Sequence, residues 1–466
     1  MATTTIGTPP PKTTTFETMS RLSYRAVNET VLQAIKAPGR GWYILFLIDL
    51  AILAVGVIAF ANQLMTGLGV AGYAPPVMWA TYITTFVFWV GIAHSGTLIS
   101  AILYLFRARW RTSVYRVAEA MTVFAVMTAG LFPLIHVGRP WVAYWLLPYP
   151  SQGHVWPNFK SPLVWDVFAV STYFTVSAIF FVIGLIPDIA AARDASTGWR
   201  RRLYGILAIG WRGSNREWHH YSRAYMFLAA FATPLVLSVH SVVSWDFAMG
   251  IVPGWHATIF APYFVAGAIF SGCAMVLTLV IPARRIFGVE EIITVDHLEA
   301  LAKLCLFTGT IVAFSYAVEF FTAWYSGNPF ERGQFWFRLT GDYAVGAWTM
   351  LTCNVFIPQL TLWFKPLRRN IPFLFLISIV INIGMWFERY VIIVLSLGHD
   401  FVPFAFGSRT QYVISPTELA ILVGSFAWFG MFFLLFIKFL PWVSLTEVKE
   451  VLPPPMKERT AAGGGH

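Results

Sequence analysis

The sequence predicts an all-α integral membrane protein of about ten transmembrane helices, arranged as two repeated four-helix bundles with one helix added at each end. Three observations lead there. Of 466 residues, 57% are hydrophobic and 12% charged, with a mean hydropathy of +0.66, whereas a soluble chain carries about 25% charged residues. Apolar stretches near 41–66, 76–106, 113–137, 162–187, 222–249, 256–283, 294–324, 340–364, 371–397 and 417–441 are each long enough to cross a bilayer. Helices are the open-chain solution there, because a lone lipid-exposed strand leaves its backbone unsatisfied. Finally, loop charge alternates. One set of loops holds Arg107, Arg109, Arg111 and Arg116, then Arg200, Arg201, Arg202, Arg212 and Arg216, then Arg284 and Arg285, then Lys365, Arg368 and Arg369; the other holds only Arg139, Lys160, Arg332, Arg338 and Arg409. Basic loops stay in the cytoplasm. Both termini are therefore expected there, with the loops at 138–161, 325–339 and 398–416 outside. The same logic assigns the net charge of +10 to membrane topology and argues against nucleic acid as a partner.

In chain order, residues 1–40 read as a Thr- and Pro-rich cytoplasmic tail, not a signal peptide. Residues 41–75 give the first span and an outer loop. Within that loop Gly67-Leu68-Gly69-Val70-Ala71-Gly72 satisfies G-x-G-x-x-G but follows no strand, so it reads as a flexible loop and not a nucleotide site. Residues 76–250 form the first bundle and 251–397 the second. Between spans, Trp199 to Trp211 is too short to cross; basic at its start and then apolar, it reads as an interfacial helix, or else as an ordinary loop packed on the bundle. Residues 398–441 supply an outer loop and the last span, and 442–466 a cytoplasmic tail whose final part, from Leu452, reads as disordered. The duplication rests on matched features. Ser95-Gly96 matches Ser271-Gly272, Glu119-Ala120 matches Glu299-Ala300, and Asp166 matches Asp342, at offsets of about 176 to 180 residues. An even number of helices per copy relates the copies by an axis along the membrane normal.

Ionisable residues in such segments are costly and serve as functional-site candidates. His136 and Arg139 share a helix face near the outer surface, and Asp166 begins the next descending helix. His240 and Asp246 lie in the outer half of the fifth span. These five can converge on one outer pocket, where a His and a carboxylate would hold the two hydroxyls of a quinol and take its protons. The competing readings are a satisfied interhelical hydrogen bond for His136, snorkelling for Arg139 and an N-cap for Asp166; the last fits poorly, since Ser161-Pro162 already opens that helix. Deeper, His94 and Glu119 suggest a polar route from the cytoplasm, and the second bundle offers Lys303, Glu319, Asp342, Glu388 and Arg389 for a proton path. A buried hydrogen-bond network, with Glu388 and Arg389 neutralising each other, explains that set equally well. No metal site is expected. Cys273, Cys305 and Cys353 show no Cys-x-x-Cys pair, so iron–sulfur and covalent c-type haem are not expected on this chain. His136 and His240 make one conceivable axial pair for b-type haem, with no inner counterpart.

His94-Ser95-Gly96, Arg107-Ala108-Arg109-Trp110-Arg111 and Pro133-Leu134-Ile135-His136-Val137-Gly138-Arg139-Pro140-Trp141 resemble the polysulfide-reductase membrane-subunit family, the NrfD-like proteins. The ten-span layout extends the resemblance over nearly the whole chain. Length, the His136/Asp166 pair and the second-bundle carboxylates look most like the larger of the two such subunits in bacterial alternative complex III. The resemblance implies a subunit of the bacterial cytoplasmic membrane without haem, iron–sulfur or nucleotide of its own, binding menaquinol or a similar quinol near the outer face. Its implied partners are c-type cytochrome subunits, a periplasmic iron–sulfur subunit and a second NrfD-like membrane subunit. It also implies His136 and Asp166 as the quinol-holding residues and proton translocation as a further role. The different-class reading is a secondary transporter, suggested by the parallel repeat; only Pro133 and Pro234 fall well inside spans, and no matched pair of broken helices supports it.

Overall fold

The computed structural model describes residues 22–36, 39–147, 159–399 and 412–452. Among these there is no strand, and nine helices are long and apolar enough to cross a membrane. In chain order the helices are α1 (Tyr24–Lys36), α2 (Arg40–Thr66), α3 (Thr81–Leu105), α4 (Tyr115–His136), α5 (Pro162–Asp194), α6 (Gly198–Leu207), α7 (Asn215–Ala248), α8 (Phe260–Ile286), α9 (Val295–Tyr325), α10 (Pro329–Thr340), α11 (344–361), α12 (Ile371–Gly398), α13 (Pro416–Phe439) and α14 (Leu445–Glu450). The tenth expected span corresponds to α11, which is shorter than the 340–364 window. Asn354, Pro358 and Gln359 lower its hydropathy.

Local chemistry sets the boundaries. Pro162 occupies the first turn of α5 behind Ser161. A capping box starts α7: Ser214 Oγ accepts from Glu217 N–H and the Glu217 carboxylate accepts from Ser214 N–H. The same device starts α13 with Ser415 and Glu418. There Glu418 also accepts from Gly72 N–H at 2.9 Å and from the Tyr412 hydroxyl at 2.7 Å, so the glycine-rich loop expected to be flexible is tied to the last span.

The core runs along α3, buried almost all round, as a helix enclosed by other helices must be. It packs on α4 on one side and on α8, α7 and α12 on the other. Small residues permit this. A Cβ on Gly96 would lie 2.0 Å from Thr122 Oγ1, and one on Gly272 would lie 1.9 Å from Ser95 Oγ. The outer helices α2 and α13 cross at Gly56 and Gly424 in the same manner.

Several expectations change. The loop 325–339 contains a helix, α10, opened by Asn328 and Pro329 and burying Gln334, Phe335 and Arg338. The N-terminal tail contains α1, whose Val27 and Val31 are buried. The segment 199–211, by contrast, is helical over α6, the helical one of its two expected forms, with Tyr204 buried and bonded to Phe439 O. At the arginine-rich end, α14 is clamped to the bundle. Arg111 pairs with Glu447 at 2.6 Å, both nearly buried, and Thr446 donates to Asp188. Arg409 and the stretch from Pro453 onward lie outside the described residues.

Candidate site at the arginine-poor end

Three polar groups occupy the bundles where one pocket and one path were expected. The first surrounds His136, the last residue of α4. Its Nδ1 lies 3.2 Å from the Tyr73 hydroxyl, and Tyr73 meets both His136 and Tyr82 edge-on at 5.6 Å. The Tyr82 hydroxyl donates to Gln63 Oε1 at 2.5 Å, and Gln63 Nε2 donates to Ile135 O at 3.1 Å. Gln63, Tyr73 and Tyr82 were not singled out from sequence. Asn62-Gln63 carried the available signal, a pair of amides near the outer end of the apolar first span. Beside this group α2, α4 and α13 enclose a cavity of about 270 Å³, walled by Phe60, Leu134, Ile135, Pro140 and Trp428 among others. His136 does not itself line the cavity, but its neighbour Ile135 does, and an apolar crevice beside an imidazole suits a lipid-soluble ring with a polar head.

The second group is Asp166 on α5 and Asp246 on α7. They lie within electrostatic reach of each other, and each has an oxygen without a hydrogen-bond partner in the described structure. Trp165 and Trp245 lock the two helices together, with ring centroids 6.1 Å apart. Neighbouring carboxylates repel when both are charged, and one proton between them relieves this. Among the described residues no hydrogen bond joins His136 to Asp166, and Arg139 is exposed at the surface.

The third group corrects the position of His240. It shares α7 with Asp246, but six residues of helix are about 9 Å of rise and roughly 240° of rotation, so the two face different neighbours. His240 is fully buried against His94, ring centroids 4.5 Å apart, at the seam where α3, α7 and α8 meet. Both its ring nitrogens and His94 Nε2 lack partners in the described structure; His94 Nδ1 bonds Val90 O at 2.5 Å. The pair considered for haem is thus divided between two groups. Arg389 extends the seam, its guanidinium 4.3 Å from the Phe264 ring centroid and 2.8 Å from Glu388. Glu388 accepts from Tyr316, which accepts from Asn354 at 2.9 Å. Nearby, Glu319 pairs with Arg338 of α10 at 3.6 Å and borders a cavity of about 300 Å³ that also meets His256 and Glu331. Burial lowers the Arg338 guanidinium from its ordinary value, and Glu319 draws it back up.

The remaining path candidates lie elsewhere. Glu119 is neutralised by Arg116 at 2.9 Å and bonded by Tyr225 at 2.8 Å, in the network that anchors Asp188 and α14. Lys303 is exposed and pairs with Glu299 at 3.3 Å. Asp342 sits exposed in the turn before α11. Its burial therefore differs from that of Asp166, the residue it matches in the repeat.

Comparison with known proteins adds two findings. The profile of the family described as polysulphide reductase, NrfD, matches residues 69–398. A curated relative from Halobacterium salinarum, named as a putative membrane subunit of dimethyl sulfoxide reductase, is 27% identical over 364 residues, 77% of each chain.

Proposed function

Because the chain belongs to the NrfD polysulphide reductase family, we propose that it is the quinol-binding membrane subunit of a quinol:electron-acceptor oxidoreductase of the alternative complex III type. The observation that carries this is His136, held by Tyr73 next to an apolar crevice that its neighbour Ile135 lines. A quinol losing two electrons also loses two protons. His136 Nε2 takes one, and the Asp166–Asp246 pair receives the other. Electrons leave to an iron–sulfur subunit docked on the same face, and from there to c-type cytochromes, beside a second NrfD-like membrane subunit.

The arginine-poor end then faces the periplasm and both termini the cytoplasm of a bacterial inner membrane. The seam from His94 and His240 through Arg389 and Glu388 to Glu319 is the route by which quinol oxidation would drive proton movement. The Halobacterium relative carries the name of a putative reductase membrane subunit; a reductase as acceptor in place of c-type cytochromes would leave the chemistry proposed for this chain unchanged. The test is turnover of the purified complex with Asp166→Asn and His136→Ala. Both are expected to depress quinol oxidation while the complex stays assembled, and undiminished turnover in both overturns the assignment.

A further inference from the structure

The end of the molecule opposite His136 carries a cavity of about 700 Å³. The turn after α3 supplies Arg107, Arg109 and Arg111 to its wall, α7 supplies Met226, and Glu450, the last residue of α14, closes it with Leu452 just beyond. Arg111 is already matched by Glu447 at 2.6 Å. Among the described residues the side chains of Arg107 and Arg109 make no ion pair, so two free guanidinium groups face one carboxylate, Glu450.

Backbone geometry singles out Arg107. The helix α3 closes in a Schellman turn, with Arg107 N–H bonded to Tyr104 O and Ala108 N–H to Leu103 O, both at 2.9 Å. The left-handed position of such a turn is normally glycine. Here Arg107 occupies it at φ 52°. A side chain kept where its Cβ is disfavoured points to a use for the side chain. Apolar surface adjoins the cations. Leu105 and Phe106 are exposed on the same turn, Phe106 to 78%, and Met226 is exposed across from them.

We propose that this cavity binds the phosphate group of an anionic phospholipid, with Arg107 and Arg109 on the phosphate oxygens and Leu105, Phe106 and Met226 covering the first part of the acyl chains. Guanidinium groups match phosphate through paired hydrogen bonds, and basic pockets at the cytoplasmic ends of transmembrane helices accept anionic headgroups. Inorganic phosphate shares the charge chemistry but has no use for the apolar flank.

Arg107→Gly is the decisive variant, since it removes the guanidinium while relieving the left-handed backbone, and Arg109→Gln is its companion. The complex is placed in nanodiscs of phosphatidylcholine with or without phosphatidylglycerol; native mass spectrometry reads retained lipid and thermal shift reads stabilisation. The wild type is expected to retain phosphatidylglycerol selectively, and each variant to retain it about fivefold less. Equal retention by the wild type and both variants overturns the site. Stabilisation by inorganic phosphate matching that by phosphatidylglycerol overturns the lipid assignment. Quinol turnover is not the readout, so failure of the quinol reading leaves this test intact.

Discussion

Replacing Tyr73 with phenylalanine removes one oxygen, 3.2 Å from His136 Nδ1, and keeps the ring that packs edge-on against Tyr82 and His136. For His136 to take a quinol proton at Nε2, the neutral imidazole must carry its own proton on Nδ1 and donate it to the tyrosine oxygen, because the bond at one nitrogen fixes the state of the other. After transfer the same bond comes from an imidazolium and is stronger. A neutral hydrogen bond contributes about 1 kcal/mol net, and one from a charged group about 1.5–3 kcal/mol. The differential felt as the proton moves is about 1 kcal/mol, or roughly fivefold in rate. Since it grows toward the transition state, it lowers kcat and leaves KM nearly unchanged. The assay is steady-state oxidation of a short-chain quinol by the purified complex, with kcat and KM measured for wild type, Tyr73→Phe and His136→Ala. The last is expected to lose about a hundredfold, the usual contribution of a positioned base. A normal kcat with raised KM in Tyr73→Phe would reduce Tyr73 to a binding contact. An unaffected Tyr73→Phe beside an inactive His136→Ala would refute the proton-holding role altogether.

Asp166→Asn keeps shape but cannot accept a proton, so turnover should fall about a hundredfold. Asp246→Asn should also lower turnover, and wild-type rates in both would dismiss the carboxylate pair. At the other end, Glu447→Ala leaves Arg111 buried and unpaired at a cost of about 3 kcal/mol. Chymotrypsin should then cleave within 442–452 faster than in the wild type, and an Arg111→Met/Glu447→Leu double variant should recover protection; persistent cleavage in the double variant counts against the clamp. Gly96→Ala forces a Cβ to within 2.1 Å of the Ala118 carbonyl oxygen, whereas the nearest atom to a Cβ on Gly91 is 3.8 Å away. The first should lower the melting temperature through about 3 kcal/mol of overpacking and the second should not. Equal melting of the two would disprove the close crossing of α3 and α4.

The spans were legible because each is a long apolar run, and hydropathy is a property of the run itself. α10 was missed for the complementary reason: twelve residues with Glu331, Arg332 and Arg338 register as a polar loop, although Asn328-Pro329 is a helix-start signal. The candidate site was legible as a set of residue types and not as a grouping. His136, Asp166 and Asp246 do lie toward one end, as the ends of consecutive spans must. Whether two side chains meet depends on helix rotation, however, and six residues of helix turn His240 and Asp246 toward different neighbours. Tyr73 and Tyr82 carried no signal because tyrosine is common at membrane interfaces.

Partnering separates the ionisable groups into two kinds that residue type alone could not distinguish. Arg116, Glu119, Asp188, Arg111 and Glu447 form closed ion pairs and hold α14 against the bundle. Each of these charges meets an opposite one, although Arg111 Nη1, Arg116 Nε and Glu447 Oε2 keep no hydrogen-bond partner in the described structure, so ion pairing explains them as architecture. Asp166, Asp246, His94 and His240 instead keep polar atoms without partners in the described structure, although His94 and His240 are enclosed in the seam. Apolar residues of similar volume would serve packing there at less cost, since a buried polar atom without a partner costs about 1–3 kcal/mol. Their retention is accounted for if a quinol or a moving proton supplies the missing partner during turnover. On this argument Glu119 drops out of the proton path, and the seam histidines become the groups whose substitution should uncouple proton movement from quinol oxidation.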